Sequence, residues 1–328
     1  MLRFIGKRIL TMIPVLLGVS ILIFTMVYFT PADAADMLLG DGATEEDRQI
    51  LREELKLDEP YLTRYLDYMK GVLHGDLGTS YSTKRPVLEE LLDRFPTTLK
   101  LASLGVLFAV VVGVTAGIIS ATKQYSIFDV IFSGISIFGV SVPNFWLGLM
   151  LILIFSVNLG IFPPSGFTTP LHYVLPMVSL GFNSCAIIMR TTRSSMLEVI
   201  RQDYIRTARA KGQKEWKVTL FHALPNALIP VITVIGLQFG RLLGGAVLTE
   251  SVFSIAGIGN LLVNGIKQRN APLVQGGVLF TAFVMTIVNL CVDILYGFAD
   301  PRIRSQYVRR KNSNREEVKK NGSSDADE

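Results

Sequence analysis

The stretch of this chain whose residue types and spacing are most specific reads Asp203-Tyr-Ile-Arg-Thr-Ala-Arg-Ala-Lys-Gly212, then Gln213-Lys-Glu-Trp-Lys-Val-Thr-Leu-Phe-His222-Ala-Leu-Pro225. Its pattern predicts a basic helix from Asp203 to Lys211 and a turn at Gly212, since glycine takes a positive φ without steric cost. A second short helix comes next, with Pro225 close to the next apolar run. Two uses fit. A helix-turn-helix held between two membrane spans transmits force, whereas an interfacial hairpin lies on lipid headgroups that attract its bases. Reactive motifs are otherwise lacking: there is no G-x-x-x-x-G-K-S/T phosphate loop and no H-E-x-x-H pair, and His74, His172 and His222 fall in different loops. The reading is a chain that does not hydrolyse ATP itself, holds no metal centre and binds no cofactor of its own.

Ion-coupled carriers use ionisable groups at membrane depth, and only Arg241 and Asp293 are candidates within apolar runs. At about 1.5 Å per residue, Arg241 falls roughly 21 Å and Asp293 about 7.5 Å above the inner ends of their runs, so they should not pair. Asp293 reads as a carboxylate near the inner interface, reaching headgroups or a cytoplasmic base. Arg241 either snorkels outward or lines a polar path, where it attracts a substrate carboxylate. Asn144 beside Pro143, Asn183 beside Ser184, and Gln238 are the other polar groups inside spans and, with Arg241, the candidates for a translocation path. A self-contained secondary carrier is the rival class, and the scarcity of intramembrane carboxylates counts against it. No nucleophile and base for an intramembrane enzyme can be assembled.

These residues need elements to position them, and the composition names the solvent. Of 328 residues, 50% are hydrophobic and 18% charged, against about 25% charged in an ordinary soluble chain, which excludes a soluble enzyme with a water-facing core. No Asp, Glu, Lys or Arg occurs in Ile9–Ala32, Leu101–Thr122, Val218–Gly240, Ala271–Val292 or the sixty residues from Val130 to Met189. A spanning helix needs roughly 20 apolar residues. Six spans are therefore expected, near Ile9–Phe29, Leu99–Ala121, Ile131–Val157, Leu171–Met189, Ala227–Thr249 and Gly276–Phe298. Gly236, Gly240 and Gly244, and again Gly113 and Gly117, recur every four residues as small-residue ridges that let another helix approach closely.

The net charge of +5 reads as topology, not as nucleic-acid binding. Thr30–Thr98 holds eight Lys/Arg and fifteen Asp/Glu, whereas Arg190–Asn226 holds eight and three. Basic residues mark cytoplasmic loops, so both termini and the Arg190–Asn226 loop are expected inside and the long acidic segment outside. The first span is longer than the roughly 7–15-residue apolar core of a secretory signal, so an uncleaved anchor is expected. Pro14 is placed near its start, where a missing amide donor costs least. Cys185 and Cys291 fall in spans, which suggests no disulfide framework.

Outside the bilayer, Thr44 followed by Glu45, Glu46 and Asp47 marks a helix start. A second helix is predicted over Tyr61–Leu73, and Gly75, Gly78 and Pro86 punctuate the stretch between it and the second span. This segment is either a small cap on the bundle or a platform for an external partner. The polar, mixed-sign tail from Arg309 to Glu328 is expected to be disordered. The chain thus divides into 1–29, an extracytoplasmic 30–98, a core 99–306 containing the 190–226 loop, and a cytoplasmic tail 307–328.

The Asp203–Pro225 segment resembles the conserved cytoplasmic loop of ABC importer permeases, E-A-A-x3-G-x9-I-x-L-P. Ala208, Gly212, Leu224 and Pro225 fit it, while Arg206, Thr207 and His222 stand at its Glu, first Ala and Ile, as in the dipeptide, oligopeptide and nickel permease branch. The resemblance extends through Asp76–Ser80, Phe95–Leu99, Ser141–Phe145 and Thr249–Ser254 and covers about residues 1–306. It implies an all-α integral membrane protein with an outer first helix and a five-helix type I permease core, paired with a second homologous permease in a prokaryotic inner membrane. Arg206, Thr207, Ala208, Lys211, Gly212, His222, Leu224 and Pro225 would then couple to one or two ATPase subunits, which carry ATP and Mg. An extracytoplasmic solute-binding protein would deliver the solute, with Asp76, Glu250 and Phe253 as candidate outer-gate or docking residues. Di- or oligopeptides are the expected cargo, and nickel, a metallophore or another small solute the alternative. Ala256 where the family has Pro, and Asn270-Ala271 where it has Asp-Tyr, point to a gate that differs in detail.

Overall fold

The computed structural model describes residues 2–30, 34–39 and 42–299; the tail expected to be disordered lies outside them. Among the described residues the regular structure is helical, with one isolated bridge between Thr79 and Pro86. The helices are α1 (Leu2–Tyr28), α2 (Ala34–Leu39), α3 (Glu45–Glu54), α4 (Tyr61–Leu73), α5 (Val87–Thr122), α6 (Ile127–Ser141), α7 (Asn144–Leu151), α8 (Pro170–Ile200), α9 (Asp203–Ala210), α10 (Glu215–Lys217), α11 (Leu224–Val252), α12 (Ile258–Lys267) and α13 (Ala271–Ala299). A π-helical turn, Ile152–Asn158, prolongs α7. Another, Val218–Ala223, joins α10 to α11.

Five helices are long and apolar enough to cross a bilayer: those over Arg8–Tyr28, Val87–Thr122, Pro170–Ile200, Glu215–Val252 and Ala271–Ile294. The span expected as one helix over Ile131–Val157 is instead broken, with α6 and α7 bent by 109°. The cause is Pro143. It disfavours helical backbone at the preceding residue, and Val142 is extended at φ −84°, ψ 128°. Proline also offers no amide to the Gly139 carbonyl, and the Asn183 side-chain amide on α8 donates to Gly139 and Val140, each at 3.3 Å. The pair still crosses the bundle. Asp129 meets Arg193 near the far end of α8, Asn144 meets Ser179, and Gly166 donates to the Phe253 carbonyl at the end of α11. Six crossings result, one of them broken.

Close backbone approach organises the core. α5 and α8 form the most extensive helix pair; a Cβ on Gly113 would lie 2.8 Å from the Cys185 carbonyl and one on Gly117 2.6 Å from Thr192. The Gly236, Gly240 and Gly244 ridge packs on Val292, Asn289 and Met285 of α13, an antiparallel match. The start of α11 and the end of α13 therefore share one end of the bundle. Arg8 joins them there through its ion pair with Asp293 at 3.1 Å. Both cysteines are free thiols.

Helix ends depart from expectation where charges are paired or stand clear of the apolar layer. α5 begins directly after Pro86 and runs 36 residues, about 54 Å against a hydrocarbon layer of about 30 Å, so the boundary expected at residue 98 cuts through it. Pro14 lies inside α1, not at its start, leaving the Leu10 carbonyl without its helical donor. Ile258–Lys267, within a segment expected to be a loop, forms α12.

The acidic segment is anchored to the bundle by aromatic rings. Thr44 and Asp47 form a reciprocal capping box at the start of α3. Tyr61, Tyr65 and Tyr68 share one face of α4 around Phe24 of α1, with ring centroids 5.3–5.8 Å away. The Tyr65 and Tyr61 hydroxyls bond Ser20 at 2.9 Å and Thr25 at 2.8 Å. Burial pushes the phenols of Tyr68 and Tyr81 above the ordinary tyrosine value.

Candidate functional site

The Asp203–Pro225 segment folds as a helix, a tight turn and a second helix. α9 closes on Lys211, and Gly212 follows at φ +74° with open space where a Cβ would sit. Across the turn the Arg209 guanidinium holds Glu215 through two contacts of 2.9 and 3.3 Å. Both side chains are exposed, so this pair adds less than about 1 kcal/mol. The anchor is apolar. Ile205, Val218 and Ala223 are buried against Met196 of α8 and Ala121 of α5, and the Asn226 amide donates to the Tyr204 hydroxyl at 2.9 Å. The second helix does not end before the next span, as expected, but continues through Leu224 and Pro225 into one helix of 38 residues, Glu215–Val252. The loop is therefore continuous in the chain with that span.

Burial leaves a defined outward face on the loop. Arg206, Thr207, Lys211, Gly212, His222 and Pro225 are exposed, and Ala208 and Leu224 are half-buried. Between the bases stand Trp216, Leu220 and Phe221, all exposed, with the Trp216 and Phe221 rings edge-on at 6.0 Å. Arg206, Lys211, Lys214 and Lys217 are exposed as well.

The four path candidates do not converge on one surface. Asn183 spends its amide on the broken helix. Gln238 is buried and accepts from the Ser184 hydroxyl at 3.2 Å, tying α8 to α11. Asn144 opens α7, its backbone carbonyl accepting from Ser179 at 2.8 Å. Arg241 alone is exposed, on a face of α11 shared with Leu237, Gly245 and Leu248.

At the opposite end, Glu250 and Phe253 are buried, so neither presents a side chain to an external partner in this state. The Glu250 carboxylate accepts from Thr98 at 2.7 Å and from the Asn260 amide at 3.0 Å, while Thr98 accepts from the Ile258 amide at 2.9 Å. A Cβ on Gly257 would lie 2.3 Å from that carboxylate. Glu250 thus binds α5, α11 and the start of α12 together. Asp76 is exposed and shapes its own turn by accepting from the Gly78 amide at 2.8 Å. Asn270, at one of the departures from the family pattern, is buried and bonds Ser80, Ser82 and the Tyr81 amide. Ala256, at the other, lines a cleft of about 310 Å³ with Arg85, Glu90, Asp93 and Arg94.

Residues 113–305 match the model of the binding-protein-dependent transport system inner membrane component, and residues 1–102 match the N-terminal model of the same membrane component. The chain belongs to this family. It is a multi-pass permease of the bacterial inner membrane. The dipeptide transport system permease protein DppB of Escherichia coli K12 is 42% identical over 336 residues, covering 93% of this chain and 99% of the relative. The di/tripeptide permease DppB of Pseudomonas aeruginosa is 43% identical over 337 residues, with 93% and 100% covered. The glutathione permease GsiC of E. coli K12 is 41% identical over 304 residues, with 93% and 99% covered. Among solved structures, the inward-facing MetNI methionine ABC transporter matches with a TM-score of 0.54 at 19% identity, over 64% of this permease and 96% of that chain, a likeness of fold.

One polar constellation of the permease escaped the sequence reading. Asp129 and Arg193 pair at 2.7 Å, with Asp129 just outside the expected span and Arg193 counted among loop bases. Buried Thr98 stood out only as part of the Phe95–Leu99 motif. In both cases the signal would have been a polar side chain facing a helix contact.

Proposed function

We propose that this chain is the membrane-spanning subunit of an ATP-driven importer for di- and oligopeptides. The observation that carries the reading is the Gly212 turn, which presents Trp216, Leu220 and Phe221 on the first turns of a helix that continues across the membrane. A push on that ridge is delivered to the span through the π-helical turn Val218–Ala223 and Pro225. The ridge and its basic rim, Arg206–Leu220 and onward to Phe221, seat in a groove of an ATPase subunit that holds ATP and Mg. Nucleotide-driven closure then swings the bundle from inward-open to outward-open.

The same reading places the remaining partners. Both termini and the loop lie on the cytoplasmic side, consistent with the shared bundle end and its bases. A second homologous permease packs across the exposed face of α11, so that Arg241 meets the peptide carboxylate along the path between the two chains. A solute-binding protein docks on the acidic cap and the surface around Asp76, with the Glu250-held loop beneath it as the outer gate. Relatives named for dipeptides, di/tripeptides and glutathione support the peptide class.

The test is to tag the chain, extract it in mild detergent from its native membrane and identify stoichiometric partners by mass spectrometry. Recovery of P-loop ATPases, a second permease and a binding protein holding peptide is expected. Recovery of the chain alone, with a control transporter intact, would favour a self-contained carrier.

A further inference from the structure

The Asp129 carboxylate is almost completely satisfied at a junction of three helices. Arg193 of α8 grips it with both arms, Nε at 2.7 Å and the terminal nitrogen at 2.9 Å. The Ser120 hydroxyl of α5 donates to it, and the Tyr125 amide in the α5–α6 turn donates at 3.0 Å. Arg193 also reaches Ser120 at 3.1 Å. The Asp129 side chain is only 6% exposed, and a buried ion pair that loses one partner leaves an uncompensated charge. No coupling residue is among these groups.

Position within the fold gives the pair a use beyond packing. α6 runs antiparallel to α8 and is tied to it twice, by Asp129–Arg193 at one end and by Asn183 to Gly139 and Val140 at the other. The ties are ten positions apart along α8 and ten or eleven along α6, about 15 Å of rise in each helix. At the second tie α6 approaches α8 closely, a Cβ on Gly139 falling 3.1 Å from Ala186. Met196, within one turn of Arg193, is fully buried against Ile205 and Val218 at the base of the loop.

We propose that Asp129 and Arg193 are positioning residues of the transport stroke: they splint α6 to α8, so that loop movement received at Met196 carries the bend at Val142–Pro143 with it. Bidentate geometry fixes α6 in rotation as well as distance. Without the splint, α8 follows the loop and the broken span lags behind. This rests on the importer reading above.

The test uses the complete transporter in proteoliposomes, with ATP inside the compartment that the ATPases face and binding protein loaded with labelled glycyl-leucine outside. Uptake and ATP hydrolysis are measured together. Asp129→Asn and Arg193→Gln should assemble and hydrolyse ATP, yet import at least tenfold less peptide per ATP, whereas Asp129→Glu, which keeps a carboxylate for Arg193, should retain most of the ratio. Ser120→Ala, the mildest change, should lower the ratio two- to threefold. A ratio unchanged in assembled Asp129→Asn and Ser120→Ala, or a loss in Asp129→Glu as deep as in Asp129→Asn, overturns the splint while leaving the importer intact. A wild-type transporter that imports nothing under ATP overturns the importer reading and the splint with it.

Discussion

Arg8 on the first helix and Asp293 on the last lie 3.1 Å apart, at the end of the bundle that also carries the Asp203–Pro225 loop. The contact closes the ring of spans: α1, outside the packed α5–α8–α11 core, rests against α13. The two residues stand at the ends of the Arg8–Tyr28 and Ala271–Ile294 spans, a position at the membrane–water boundary, where solvated bridges contribute less than about 1 kcal/mol. Asp293→Asn should therefore leave uptake within twofold of wild type. Reporter fusions at the two termini should report the same side of the membrane, and opposite sides would contradict the six-crossing path.

Removing the amide that satisfies the broken helix should be costly. Asn183→Leu leaves the carbonyl of buried Gly139 without its donor, at about 1–3 kcal/mol for a buried unsatisfied group. Pro143→Ala restores a backbone donor, so the double substitution should lose less stability than the sum of the single ones. Thermal unfolding of the detergent-solubilised protein measures both.

The Glu250 bracket predicts a matched set. Thr98→Val removes both the donor to Glu250 and the acceptor for the Ile258 amide and should destabilise by about 1–3 kcal/mol. Gly257→Ala should do the same by collision with the carboxylate, whereas Ala256→Pro, at an exposed position of the same loop, should be milder. Limited proteolysis between residues 254 and 260 should accelerate in the first two variants only.

If Arg241 faces peptide carboxylate, Arg241→Ala should lower uptake by about tenfold, as expected for a lost charged hydrogen bond of about 1.5–3 kcal/mol. It should also abolish discrimination between peptides with free and amidated carboxyl ends. Retained discrimination would leave Arg241 as a packing or snorkelling residue.

Most spans were legible because charge-free runs of bilayer length admit few other structures. The extensions of α5 and α8 were not, since Glu90, Arg193 and their neighbours look like loop residues until their partners are seen. Pro143 marks where the expected span breaks, but the amide that satisfies the break comes from Asn183, forty residues away in sequence and adjacent only after folding. α12 was not foreseen: Gly257, Gly259 and Gly265 admit Glu250, Val247 and Leu273, contacts that exist only after folding. Gly212 was the clearest success: its positive φ follows from residue type and position alone. Glu250 was the clearest surprise, a carboxylate at the end of an apolar run that turns inward because Thr98 and the Asn260 amide are there to receive it.

We place the coupling of ATP hydrolysis to movement of the Glu215–Val252 helix in the turn at Gly212. A side chain at φ +74° meets no neighbouring atoms, so only backbone strain opposes substitution, about 1–2 kcal/mol for an ordinary residue and more when β-branched. The most direct measurement is ATPase activity of the reconstituted transporter, with and without loaded binding protein, in wild type, Gly212→Val and Gly212→Asn. Gly212→Val should assemble but lose stimulation, and Gly212→Asn, which tolerates the left-handed conformation, should keep most of it. Full stimulation and normal uptake in Gly212→Val would contradict the coupling assignment.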